Sequence, residues 1–221
     1  MKTKKKNILR LLVALVVVIG VVYASLPYYV RQALIHWMPV IDDLETFHRH
    51  TVHHNPDDVW HWPLSTDYNR YQLAEKDAHY LDSLRTVSFL VIRRDSIVFE
   101  SYRDRWNDTL TSNIYSATKT ILGLLAGVAL DEGKIHSLDD PVSRYIPVYT
   151  KGMQADVTLR HLLTMSGGMA WDEAYASLFS VTTHGYYGND LYDLVTGLEV
   201  VDRPGVQYSY RSGETQLLAF V

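Results

Sequence analysis

Ser116-Ala117-Thr118-Lys119 sets a hydroxyl and an amine three residues apart, a spacing that stacks two side chains on one face of a helix. A serine hydroxyl is a poor nucleophile at neutral pH, so a neighbouring group must take its proton as it attacks a carbonyl carbon. A lysine can do this when burial and nearby positive groups pull its amine down from an ordinary value of about 10.4. The positive end of the helix dipole also favours anionic species that form beside the serine. Ser116 has a plainer reading as a helix N-cap, whose oxygen accepts from an otherwise orphan backbone N–H. That reading makes no use of Lys119, and only one Ser-x-x-Lys occurs among the 15 serines of the chain.

Several elements must hold this pair in place. Ile121, Leu124, Leu125, Val128 and Leu130 recur at helical spacing, so the helix is predicted to begin at Ser116 and to stop at Glu132-Gly133. Before it, Val87–Ile92 and Ile97–Tyr102 flank a polar Arg93-Arg94-Asp95-Ser96 turn and predict a β-hairpin. After it come Ser137-Leu138-Asp139-Asp140-Pro141-Val142, Tyr145-Ile146-Pro147, and then Val157-Thr158-Leu159-Arg160-His161-Leu162-Leu163-Thr164-Met165-Ser166-Gly167-Gly168. Asp139-Asp140-Pro141 reads as turn and cap chemistry, and Gly167-Gly168 as a turn after a helix.

In this order the run from about residue 85 to 221 resembles the serine β-lactamase-related family. That family includes class C β-lactamases, D-alanyl-D-alanine carboxypeptidases, esterases and 6-aminohexanoate-dimer hydrolase. The resemblance implies an α+β, β-lactamase/transpeptidase-like fold, an antiparallel sheet with helices. It also implies Ser116 as the acylated nucleophile and Lys119 as its base, and it gives His161 a supporting place in the fold. The family's Y-x-N motif is matched by Tyr210-Arg211-Ser212; Tyr208 competes, but Gln216-Leu217-Leu218 stands at the usual distance from Tyr210. By resemblance, Tyr210 relays the proton to the leaving group and Ser212 stands where the substrate's amide carbonyl is held. Serine in place of asparagine departs from the β-lactamase pattern and is closer to the branch containing 6-aminohexanoate-dimer hydrolase. Trp171-Asp172-Glu173 also resembles that branch, with Trp171 expected as an apolar wall for the substrate or as core.

The family's third motif, K-T-G or H-x-G on a later strand, does not follow Tyr210. In the family that strand supplies an oxyanion N–H whose loss costs about 3 kcal/mol. The chain is therefore expected to be the N-terminal part of a longer enzyme, lacking the C-terminal strands of its sheet.

At the other end, Lys2, Lys4, Lys5, Lys6 and Arg10 precede Leu11–Leu26, a run without a charge that is closed by Pro27-Tyr28-Tyr29. This predicts a transmembrane helix, or a signal segment cleaved near Val22-Tyr23-Ala24. The positive-inside rule puts residues 1–10 in the cytoplasm as a basic tail and the hydrolase in the periplasm of a bacterial inner membrane, or free in the periplasm after cleavage. The reading divides the rest into an anchor or signal segment (11–30), a juxtamembrane helix with linker (31–84) and the hydrolase domain (85–221). Removing the five N-terminal positives from a net charge of −4 leaves −9, which argues against nucleic acid as a partner.

The chain has no cysteine, hence no disulfide or lipoprotein anchor. His48, His50, His53, His54 and His61 lack H-E-x-x-H spacing and are not assigned to a metal, and no glycine-rich phosphate loop appears. No cofactor is expected. Three functions follow: a membrane-anchored serine hydrolase of small or peptide-like amides or esters, a penicillin-binding carboxypeptidase or β-lactamase, and a non-catalytic tethered binding domain of the same fold.

Overall fold

The structure, a computed structural model, describes residues 2–47, 50–53, 55, 57 and 59–221. The chain forms two compact units, one of residues 1–39 with 114–221 and one of residues 40–113.

In the second unit, α3 (Glu75–Ser83) leads to the antiparallel pair β1 (Ser88–Arg93) and β2 (Ser96–Tyr102). The predicted hairpin is present, with Ser88 opposite Tyr102 and a bulge between Val91 and Ile92. Arg94 and Asp95 both take positive φ, 51° and 55°, the primed-turn geometry that matches the right-handed twist of paired strands. Glu100 accepts from the phenols of Tyr68 at 2.5 Å and Tyr102 at 2.9 Å, which ties the segment before α3 to β2. The α3 helix has no counterpart in the sequence reading. No side chain of α3 is buried, so an apolar stripe is missing from its sequence.

The first unit opens with α1 (Lys2–Ser25), in which residues Lys5–Ser25 have a mean hydropathy of 2.6 and no burial against the rest of the chain. This helix is long and apolar enough to cross a membrane, a test that a signal sequence also passes. Pro27 caps α2 (Tyr28–His36), whose Val30 and Ala33 are buried. α2 lies against α6 (Val181–Tyr187), where Tyr29 stacks on His184 with ring centroids 4.3 Å apart.

The Ser116 segment begins as a 3-10 turn, Tyr115–Ala117, that runs into α4 (Thr118–Asp131). This revises the N-cap reading of Ser116: the cap position of α4 is Ala117, with no side-chain cap, so the Ser116 hydroxyl is left for other partners. The helix stops where expected, with Gly133 at φ +72°. The predicted apolar stripe splits, however. Ala126 is buried and Leu122, Ala129 and Leu130 pack on the core, whereas Ile121, Leu124, Leu125 and Val128 stay exposed. The inner face thus mixes the small Ala126 and Ala129 with Leu122 and Leu130.

α5 (Leu159–Leu163) is framed by a reciprocal cap. Thr158 Oγ1 accepts from the His161 N–H at 3.3 Å, and His161 Nδ1 accepts from the Thr158 N–H at 3.2 Å. His161 thus has the structural role the resemblance implied. Asp140 likewise acts locally, accepting from Ser137 N–H, Tyr145 Oη and Arg144. α7 (Leu191–Gly197) and α8 (Ser212–Leu218) complete the unit, and α8 packs against α4, α5, α6 and α7. The core beneath it includes Val142, Ile146, Leu159, Leu162, Met169, Val195 and Leu217, all but fully buried.

Trp171 belongs to this core. Its indole sits between Gly185 and Gly213, and a Cβ at Gly213 would lie 2.3 Å from Trp171 Cε3 and 2.7 Å from Met169 Sδ. Gly213→Ala is therefore expected to push Trp171 aside and destabilise the chain by about 1–3 kcal/mol, read as a shift in the denaturant midpoint of the detergent-solubilised protein. An unchanged midpoint would show that the indole has room to move.

Candidate active site

Two segments distant in sequence meet at Ser116. Its Oγ lies 3.1 Å from Lys119 Nζ, three residues further along in the first turn of α4, and accepts from Tyr210 Oη at 2.8 Å. Lys119 Nζ also donates to Ser212 Oγ at 3.1 Å and sits 5.2 Å from the centre of the Tyr210 ring. Ser116 and Tyr210 are exposed and Lys119 is half-buried, so the hydroxyl stands open to a substrate while the amine is screened behind it.

The backbone before the serine is unusual. Tyr115 has φ 44°, in the left-handed region that bulky residues seldom enter, so surrounding contacts must hold it. It turns the chain sharply from Ile114 into the 3-10 turn and presents Ser116 beyond the start of α4.

Tyr210 and Ser212 are placed by the turn that follows α5. The Ser209 N–H donates to the Met165 carbonyl at 2.9 Å and the Gly205 N–H to the Ser166 carbonyl at 2.8 Å. Gly168 takes φ +79°, and a Cβ there would meet the Asp202 carbonyl oxygen at 2.1 Å, so only glycine permits this approach. Glu214 then crosses from α8. Wholly buried, it accepts from the Gly167 N–H at 3.0 Å and the Met169 N–H at 3.4 Å. Burial pushes its carboxyl above the usual range, and these N–H groups, with the Arg211 charge, offset only part of that rise.

The electrostatics at Tyr210 run the other way. Partial burial raises its phenol, but hydrogen bonding with Ser116 and Lys119 and the Lys119 charge outweigh it, leaving the phenol below its ordinary value. A phenol held in that direction gives up and regains a proton more readily near neutral pH.

Of the residues expected from the sequence, Ser116, Lys119, Tyr210 and Ser212 come together, and Tyr208, the competing tyrosine, is exposed without such partners. Of the two places open to Trp171, wall or core, the chain gives it the core. It is 9% exposed in the core instead of walling a cleft, because Gly185 and Gly213 leave an indole-sized slot inside the protein. Glu173, two residues on, takes the place beside Ser212: it accepts from the Ser212 N–H and, at 3.3 Å, from Ser212 Oγ. Tyr175 Oη also donates to Glu173. Glu173 stood in the Trp171-Asp172-Glu173 match without a role of its own and nothing marked Glu214, since they act on residues 39 and 47 positions away in the chain. His48 and His54 lie outside the described residues, and among the described residues no three His, Asp or Glu side chains gather to hold a metal.

Comparison with known proteins finds relatives of the chain. A family model described as Beta-lactamase matches residues 73–221. The 6-aminohexanoate-dimer hydrolase of Paenarthrobacter ureafaciens is 26% identical over 152 residues, 64% of this chain and 38% of that protein. Protein flp of Staphylococcus aureus (strain NCTC 8325 / PS 47) is 28% identical over 116 residues, 51% of this chain and 23% of that protein. The chain therefore spans well under half the length of these relatives. Among solved structures, a Bacillus anthracis protein provisionally named as a 6-aminohexanoate-dimer hydrolase aligns with a TM-score of 0.61 at 19% identity, over 75% of this chain and 48% of that one. A Bacteroides dorei DSM 17855 protein provisionally named as a beta-lactamase gives 0.52 at 20% identity, over 65% and 42%. At these identities the structural matches speak for the fold, an α+β, β-lactamase-like arrangement of helices and antiparallel strands.

The Tyr210 environment has a measurable consequence. Tyrosinate absorbance, as the difference between wild type and Tyr210→Phe, is expected to titrate below the ordinary phenol value of 10.0 and to move upward in Lys119→Met. Since the folded phenol ionises below the unfolded one, wild type should gain stability over Tyr210→Phe as pH rises through that window. A Tyr210 titration unmoved by Lys119→Met would show that the amine does not govern it.

Proposed function

Because the chain belongs to the Beta-lactamase family, we propose that it carries the acylation site of a serine hydrolase that cleaves amides or esters through an acyl-enzyme on Ser116. The observation that supports this most directly is the position of Ser116 Oγ between Lys119 Nζ at 3.1 Å and Tyr210 Oη at 2.8 Å. In this reading Lys119, as the neutral amine, takes the Ser116 proton while Oγ bonds to the carbonyl carbon. The tetrahedral oxyanion is met by the Ser116 backbone N–H, as in the resembling family, with the developing negative charge near the start of α4. Tyr210 delivers a proton to the leaving nitrogen or oxygen as its bond to carbon breaks, and draws a replacement from Lys119. Water then attacks the acyl carbon and passes a proton to the Lys119–Tyr210 pair, which hands it to Ser116 Oγ as the Oγ–carbon bond breaks and the acid leaves.

The name of the Paenarthrobacter relative supports an amide substrate. The Beta-lactamase description of the matching model favours a second reading, a penicillin-binding carboxypeptidase or β-lactamase. Against it stands Ser212, where the resembling enzymes carry asparagine; its hydroxyl is engaged by Lys119 and Glu173. The apolar Lys5–Ser25 helix supports a membrane-anchored hydrolase with residues 1–10 in the cytoplasm, residues 11–30 as the anchor, residues 31–84 as juxtamembrane helix and linker, and the catalytic domain, residues 85–221, outside the inner membrane.

A fluorophosphonate probe tests the acylation site. The full chain is expected to gain one covalent adduct, on the peptide containing Ser116, read by intact mass and peptide mapping. Ser116→Ala should gain none, and Lys119→Ala should label about 10²-fold more slowly or worse, the usual worth of a general base. A folded chain that stays unlabelled, or labels equally fast without Lys119, would sink the acyl-enzyme reading and favour a tethered binding domain.

A further inference from the structure

Lys119 donates to Ser212 Oγ, and what fixes the direction of that hydroxyl is Glu173. An ionised carboxylate only accepts hydrogen bonds. The Ser212 O–H, 3.3 Å from Glu173 Oε2, therefore points its hydrogen at Glu173 and turns its lone pairs toward Lys119 Nζ, 3.1 Å away. The backbone N–H of Ser212 donates to the other oxygen, Oε1, so the carboxylate grips both ends of the residue. Tyr175 Oη donates to Glu173 as well, and burial, followed by that hydrogen bond, raises the Tyr175 phenol, which keeps it a donor.

We infer that Glu173 is a positioning residue of the Ser116 site, orienting the Ser212 hydroxyl as a fixed acceptor that holds Lys119 Nζ in line with Ser116 Oγ. With one N–H of Lys119 committed to Ser212, the remaining tetrahedral positions of the nitrogen include the direction of Ser116 Oγ at 3.1 Å. When Lys119 is the neutral amine, its lone pair is aimed at the Ser116 proton rather than rotating freely. The role explains why a serine can occupy the position of the family's asparagine: its hydroxyl serves the base, whereas an asparagine amide there would be aimed at substrate. It also explains a half-buried carboxylate near the reactive amine with no direct ion pair to it. Glu173 meets Lys119 through a hydroxyl, which supports the amine's position without the contact that would lock it as an ammonium.

The inference rests on the acyl-enzyme reading for its effect on rate, and a direct view of Lys119 tests it separately. In the full chain, Glu173→Gln should slow fluorophosphonate acylation of Ser116 by about tenfold or more, in the maximal rate and not in the probe's apparent affinity, because the Gln amide N–H₂ would donate to Ser212 and turn the hydroxyl around. Ser212→Ala should slow it comparably, and Glu173→Gln added to Ser212→Ala should have no further effect. Melting curves of the single variants close to wild type would separate this from a loss of folding. The ¹³Cε resonance of Lys119, assigned through Lys119→Arg, should move in Glu173→Gln and in Ser212→Ala, with no extra displacement in the double variant. An unmoved Lys119 resonance, or additive losses in the double variant, would overturn the role of Glu173. Failure of the parent chain to label would instead overturn the acyl-enzyme reading, and the Lys119 resonance would still decide for or against Glu173.

Discussion

The buried carboxylate of Glu214 is the constraint on which the arrangement turns. An ionised carboxyl removed from water costs several kcal/mol unless backbone or charged partners replace its solvation. Here the partners are the N–H groups of Gly167 and Met169, the first of them in a turn so tight that a Cβ at Gly167 would crowd the carboxylate at 3.1 Å. The bond therefore specifies a single seating of α8 on the segment after α5. Tyr210 and Ser212 ride at the N-terminal end of that helix, so their distances to Ser116 and Lys119 follow from where Glu214 is anchored. Loss of the carboxylate would leave two buried donors unpaired, which is why no apolar residue of similar size is an equivalent.

Around Lys119 the protein solves the opposite problem. A lysine facing a carboxylate would be held as an ammonium, unable to take a proton. Its partners are instead two hydroxyls and the face of the Tyr210 ring. The nearest carboxylate in this hydrogen-bonded chain, Glu173, is kept one hydroxyl away. The two glutamates thus divide the work: Glu214 sets the backbone from within the core, and Glu173 orients a side chain at its edge.

Much of this was legible in the residues. The hairpin was readable from alternating apolar residues around a polar turn. The helix after Ser116 and its end at Gly133 were readable from periodicity, and the turn and cap role of Asp140 from the residue types around it, whereas the supporting place of His161 came only with the family resemblance. These are all short-range signals. Trp171 was readable only as either wall or core, because the glycines that decide between the two, Gly185 and Gly213, lie 14 and 42 positions further along. Glu173 and Glu214 escaped for the same reason: what matters about them is the backbone groups they meet across the fold, and one-dimensional spacing does not report that. α3 was missed through weakness of signal, since none of its side chains needs to be buried.

The hydroxyl of Ser116 and the phenol that donates to it are separated by 94 residues. During synthesis the Ser116–Lys119 pair emerges first, on a helix that can form locally, but the phenol arrives only when the chain has been extended through α5, α6 and α7. Until α8 seats against them, the serine belongs to an ordinary solvated helix end. Closing so long a loop costs entropy that local helix formation does not repay, so the Tyr210–Ser116 contact depends on packing of α8 against the core rather than on the helix that follows Ser116.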